Sequence, residues 1–223
     1  MRALRDADVI AIDGSGQAVE REARRSTKPT ETIIMAKDQA PRLALLTLET
    51  MNAEQRVVAE KLLSGPRKGM KGPFSALLRH PDLCDKVQEL GAVVRFKNAI
   101  PSALKEMAII MTGRHWTASY EFQAHRRMAL EAGLSPAICD AIADGKKPAG
   151  MTADETAIYE FVTELLATGQ VGDAHYDKVK AKWGEKGVVD LCATVGYYCI
   201  ASFVLNVSRH PMPEGAVALK PLK

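Results

Sequence analysis

PSALKEMAIIMTGRHWTASYEFQAHRRMALEAG, residues 101–133, decides how this chain folds. Proline lacks a backbone N–H and has its φ preset, so Pro101 suits the first turn of a helix running through Ile109 and Met111. Gly113 interrupts that pattern. A second helical stretch starts near Thr117 and continues to Ala132, where Gly133 suits the position just past a helix end. A break at Gly113 folds the two helices into an antiparallel pair. Glu121 and His125 stand four residues apart and share one face of the second helix. Glu106, on the first helix, is placed to face them across the crevice.

The flanking sequence carries the same kind of punctuation. Toward the N-terminus, Asn52 with Gln55 forms a capping box, and Gly65-Pro66 stops that helix. A short helix from Phe74 ends before Pro81, and Asp82 is placed to cap a segment through Leu90 and Val94. Toward the C-terminus, Ser135-Pro136 opens a short helix closed by Asp144-Gly145. Thr152 with Glu155 is a second capping box, for a helix ending at Gly169. Asp173 is placed to cap a helix ending at Trp183-Gly184, and a last long helix covers roughly 186–208 before Pro211 and Pro213. No alternating apolar–polar run of useful length marks a strand, so the expectation is all-α with short connections. Residues 1–34, with mixed charge, an Asp13-Gly-Ser-Gly16 turn and no sustained period, read as a loosely ordered arm preceding a helical domain over 35–223.

Composition narrows the function classes. The 223 residues carry 30 basic and 27 acidic side chains, a net charge of +3, with no basic block or aromatic-interleaved Lys/Arg stripe. A nucleic-acid partner is therefore not expected. Four cysteines, Cys84, Cys139, Cys192 and Cys199, include no CxxC pair, and the apolar stretch Val9–Ile12 is too short for a secretory leader. Reduced thiols in a cytoplasmic protein are the expectation. Val188–Val207 approaches the length of a membrane span. Asp190, Asn206 and Gly196 within it favour instead a helix buried in a core or a subunit interface.

The densest titratable cluster is Glu106, Arg114, His115, Glu121 and His125. A carboxylate beside a histidine favours the imidazolium and orients its ring, as general acid–base chemistry requires. A buried Glu106 could hold a proton near neutral pH. Arg114 and His115 are candidates to hold a substrate carboxylate, and Trp116 beside them reads either as a substrate contact or as packing at the helix break. Equally ordinary readings exist: a Glu/His pair at this spacing is common on helix surfaces, Arg114 suits a solvated helix end, and His115 suits a helix C-terminus, where cations are favoured. His80, His175 and His210 are isolated. No set of His, Cys, Asp and Glu has metal-ligand spacing, so no metal is proposed.

The stretches Arg95–Pro101, Lys105-Glu106 and Arg114-His-Trp-Thr-Ala-Ser-Tyr-Glu-Phe-Gln-Ala-His125 resemble the core motif of the carboxymuconolactone decarboxylase-like (alkylhydroperoxidase D-like) superfamily. So do Glu131-Ala-Gly133-Leu-Ser135, the run Val195–Asn206 and the tail Pro211–Gly215. The resemblance spans about residues 50–215. It implies an alkylhydroperoxidase D-like helical fold around a Glu/Glu/His crevice, a homotrimer or homohexamer, and a small-molecule substrate. In the peroxidase branch a Cys-x-x-Cys pair reduces peroxides. Those positions fall here on Ala118 and Glu121, neither of which forms a thiolate. In the decarboxylase branch a small carboxylated lactone from aromatic catabolism loses CO2 without a metal or organic cofactor. The resemblance carries Glu106, Glu121 and His125 to that role; Arg114, His115 and Trp116 are the candidate substrate contacts read from the residues themselves. The Arg-His-Trp form of the motif differs from the true lactone decarboxylases, which leaves the substrate open. A thiol-dependent antioxidant enzyme using other cysteines and a non-catalytic helical oligomer are the alternatives.

Overall fold

The computed structural model describes residues 40–66 and 68–222, together with the backbone of two short strands. Its contacts divide the chain into two units, Met1–Met35 and Ala36–Lys223. In the first unit, β1 (Ala11–Ile12) pairs antiparallel with β2 (Ala18–Val19). The rest of the expected loose arm lies outside the described residues.

Among the described residues the regular structure of the second unit is all helical: α1 (Ala53–Ser64), α2 (Phe74–Leu77), α3 (Pro81–Phe96), α4 (Ser102–His115), α5 (Ser119–Glu131), α6 (Pro136–Ala143), α7 (Ala153–Thr168) and α8 (Asp173–Ser208). Both capping boxes close as expected. Asn52 Oδ1 accepts from the Gln55 amide while Gln55 Oε1 accepts from the Asn52 amide, and Thr152 and Glu155 repeat the exchange. Helices α5, α6 and α7 end against Gly133, Gly145 and Gly169.

Four expectations shift. Pro101 is the residue before α4 rather than its first-turn residue. Asp82 lies inside the first turn of α3; the cap is His80, whose Nδ1 accepts from the Leu83 amide, with Pro81 opening the helix. Gly172, without a side-chain cap, precedes α8, so Asp173 is its first helical residue. Finally, α4 runs through Gly113 to His115, and the break comes at Trp116–Ala118, where Thr117 takes φ 49°. Gly113 has a different task. A Cβ there would sit 3.2 Å from the Phe122 backbone nitrogen, so its bare backbone lets α5 pack closely on α4.

Helix α4 is the centre of the unit. Every residue from Leu104 to Arg114 is buried, and α5, α6, α7 and α8 all pack around it. A helix apolar on all sides needs such a sheath. One core, around Met107, Ile110, Phe122, Ile158, Phe161 and Leu191, joins α4 to α5, α6, α7 and α8. A second, around Leu62, Leu78, Cys84, Ile109 and Tyr198, joins α1, α2 and α3 to the other flank.

Two helical directions are merged in α8. Gly184 has φ 67° and ψ −176°, a conformation reserved for glycine, and it divides the segment where the sequence places Trp183-Gly184. Within one chain the second half is buried along one side. Leu191, Val195, Tyr198 and Leu205 face the core, whereas Val189, Ile200, Phe203 and Val207 are exposed. By length and composition α8 could cross a membrane, and half of its most apolar 18-residue stretch is buried within the fold.

Candidate functional site

The antiparallel packing of α4 on α5 brings three ionisable groups together in the interior. Glu106, Glu121 and His125 are 6%, 4% and 6% exposed. His125 Nδ1 lies 2.6 Å from Glu106 Oε2, and its Nε2 lies 3.0 Å from Glu121 Oε1. The Glu121 contact follows from four-residue helical spacing. The Glu106 contact is tertiary, and the close approach allowed by Gly113 supplies it.

Burial by itself depresses an imidazole pKa, and here it is the largest single influence. The Glu121 charge, the hydrogen bonds to Glu106 and Glu121, and the Glu106 charge together outweigh it, and the His125 pKa rises to about 9. At neutral pH the ring is therefore an imidazolium that donates from both nitrogens, one to each carboxylate. The three side chains form a buried, hydrogen-bonded Glu–His–Glu chain.

Groups missed in the sequence complete the surroundings. The Tyr198 ring packs edge-on against His125, centroids 4.8 Å apart. Burial raises the Tyr198 phenol pKa well above its usual value, and the Glu121 charge adds to the effect, so it stays neutral. Lys105, next to Glu106, is buried with its Nζ donating to the Arg95 carbonyl at 2.6 Å, and desolvation lowers its pKa. The only signal in the sequence was a lysine and two tyrosines inside apolar helical runs, and spacing alone does not distinguish them from core or surface residues.

The proposed substrate contacts lie apart from this chain of hydrogen bonds. Arg114 is buried at 4% exposure, not solvated. Its Nη2 donates to the Lys220 carbonyl at 2.7 Å, while Nε and Nη1 find no partner among the described residues. The carboxylate that acts on its charge is Asp144, at the end of α6. His115 and Trp116 are exposed and stack edge-to-face on each other at 4.7 Å. Trp116 also packs on Phe203, and its Nε1 donates to Cys199 Sγ at 3.1 Å, which ties the helix break to α8. The C-terminal segment runs over the same corner: the Leu219 amide donates to Ser119 Oγ, Gln123 Nε2 donates to the Val217 carbonyl, and Leu219 is buried.

Cys84 and Cys139 are buried, Cys192 is exposed and Cys199 is half-buried. Desolvation raises the thiol pKa of Cys84 to about 12 and raises those of Cys139 and Cys192. Among the described residues no group of three His, Cys, Asp or Glu is arranged to hold a metal ion. Two surface clefts, of about 540 Å³ beside Met151 and Trp183 and about 420 Å³ beside Leu83 and Phe203, include no member of the Glu–His–Glu chain in their walls.

No protein-family model matches the chain, and no curated protein matches it in sequence. Solved structures do match in shape. One is a protein of unknown function from Agrobacterium tumefaciens, described provisionally as an AhpD antioxidant defence protein. It aligns with TM-score 0.55 and 14% identity over 64% of this chain and 99% of its own. Another, an uncharacterised peroxidase-related protein from Ralstonia eutropha JMP134 described as an alkylhydroperoxidase AhpD core, aligns with TM-score 0.64 and 13% identity over 79% of this chain and 94% of its own. At such identity the likeness speaks to fold. The helical unit of this chain has the AhpD-like all-α fold, and its Glu–His–Glu chain lies between the fourth and fifth helices.

Proposed function

We propose that the protein is a cofactor-free lyase or isomerase acting on a small carboxylated lactone or related acid from aromatic-compound catabolism. The observation that carries this reading is the buried imidazolium held by two carboxylates. In a decarboxylation, the bond from carbon to the departing CO2 breaks and its electron pair enters the conjugated carbonyl as an enolate. A proton then forms the new C–H bond. His125 supplies that proton directly or through Glu106 or Glu121, and solvent restores it. The positive ring also stabilises the developing enolate, more strongly inside the fold than in water. Arg114, His115 and Trp116 are the proposed contacts for the substrate's carboxylate and ring, in a homotrimer or homohexamer working in the cytoplasm.

The names of the structural neighbours favour a second reading, peroxide reduction. That chemistry requires a thiolate, and Ala118 and Glu121 occupy the motif's cysteine positions. The test is to incubate the protein with a panel of carboxylated lactones and unsaturated acids in D2O, following CO2 release and deuterium incorporation into product. Wild-type turnover that Glu121→Gln abolishes supports the lyase reading. Hydroperoxide reduction that survives Glu121→Gln and stops on thiol alkylation replaces it. Neither activity over a broad panel favours a non-catalytic oligomer.

A further inference from the structure

The second half of α8 carries an apolar stripe that nothing in the described chain covers. Val189, Cys192, Gly196, Ile200, Phe203 and Val207 are all exposed, and none is charged. At 100° per residue they fall within about 40° of the direction in which Gly196 faces, one narrow band along the helix. A Cβ at Gly196 would meet nothing within 4 Å, so the middle of the band is open backbone. Trp116 flanks the band through its ring contact with Phe203, and Leu83 joins it across the groove it shares with Phe203 and Val207.

From this arrangement we infer that the α8 stripe is an isologous interface, on which a second copy of the chain lies antiparallel with the two helices crossing at Gly196. The order of side-chain sizes along the stripe supports this occupant. A two-fold axis through Gly196 sets Val189 (seven residues before it) against the partner copy's Phe203 equivalent, seven after, and Cys192 (four before) against the Ile200 equivalent, four after. Each smaller side chain meets a larger one, twice over, as two-fold contacts require. A parallel pairing would set Phe203 against its own copy and leave a gap at Cys192. The glycine lets the helices approach at the crossing. The area also suits a stable pair. Val189, Ile200, Phe203, Val207, Trp116 and Leu83 are 39–65% exposed. At on the order of 80 Å² each they offer roughly 500 Å², most of the ~800 Å² that each partner contributes to a typical stable complex. The inference does not depend on the lyase reading. It requires assemblies with an even number of chains, and so keeps the homohexamer of the proposed function and excludes the homotrimer.

The full chain is tested by sedimentation equilibrium at micromolar concentration, with circular dichroism as the check on folding. Wild type is expected as a dimer or hexamer. Val189→Glu, at an exposed position, is expected to weaken the pairing roughly 100-fold or more with helicity unchanged, because a charge is buried unpaired. If that variant loses helicity, Ile200→Lys serves in its place. The register is read by oxidising a Cys199→Ser protein with oxidised glutathione. With Ile200→Cys added, Cys192 of one copy should link to the new cysteine of the other; without it, no covalent dimer should form. Four results overturn the inference: a wild-type monomer, a stable trimer, pairing unaffected by the folded charged variant, or a Cys192–Cys192 link without Ile200→Cys. Partition of a monomeric wild type onto phosphatidylcholine/phosphatidylglycerol vesicles, lost in Val189→Glu, would assign the stripe to a membrane surface instead.

Discussion

In the proposed lyase reaction His125 is the proton donor, and its two carboxylate partners make that role measurable. Glu106→Gln, Glu121→Gln and His125→Asn should each lower turnover by about 10² to 10⁴, the usual worth of a positioned acid or base. The double variant Glu121→Gln/His125→Asn should lose far less than the product of the single losses, because groups acting as a unit are not additive. The raised pKa also links charge to stability. The folded protein binds the proton more tightly than the unfolded chain, where the ring titrates near 6.5. This stabilisation is fully present below about pH 6.5 and is lost as pH rises through about 9. Urea midpoints should therefore fall between those pH values in the wild type, and the fall should be smaller in His125→Asn. A wild-type profile as flat as the variant's would exclude an imidazolium in the folded state. Arg114 separates two roles by kinetics. If it holds the substrate carboxylate, Arg114→Met raises KM more than it lowers kcat. Stability should change little, because the guanidinium already leaves two buried nitrogens without partners.

At the scale of elements, glycine carries two different tasks. Gly113 reads as a helix breaker in the sequence, yet it lies within α4 and serves the approach of α5. Ala is the better helix former, so Gly113→Ala in an unpacked helix would stabilise. Here the added methyl must push on the Phe122 backbone. The expected outcome is a loss of about 1 kcal/mol or more, or a fall of roughly 2–4 °C in Tm, measured by thermal scanning. A rise would show that α5 gives way freely. Gly184 is the opposite case. Its place between helices was legible because turn residues announce themselves locally, and its φ of 67° with ψ −176° is the reason glycine is needed. The capping boxes at Asn52 and Thr152 were legible for the same reason: the bonds span three residues. The His80 cap was not, because histidine seldom fills that position.

Across the whole molecule, the C-terminal segment shows how much distant packing matters. Beyond Pro213 the described residues form no helix or strand, yet Leu219 is buried and the Lys220 carbonyl accepts a hydrogen bond from Arg114. Truncation after Gly215 removes a buried leucine, worth about 1.5–3 kcal/mol, and the bond to a charged donor, worth about 1.5–3 kcal/mol. Tm should fall by roughly 10 °C in the truncated protein, since each kcal/mol moves a chain of this size by about 2–4 °C. An unchanged melting curve would mean that this segment does not hold the α4–α5 corner.

Local chemistry let the sequence alone determine the helical class, both capping boxes, the glycine-terminated helices and the Glu121–His125 pairing, because each depends on residues at most a turn apart. The tertiary structure decided the rest. Whether Glu106 meets His125 depends on how closely α4 and α5 approach, and that distance is set by a glycine whose sequence context suggests a break instead. Arg114 points to a tail over a hundred residues away, a contact that no periodicity encodes. The apolar run of α8 looks the same in sequence whether its outer face is covered or bare. Burial is a property of the packed neighbours, and only the fold shows that α4, not α8, is the helix enclosed on every side.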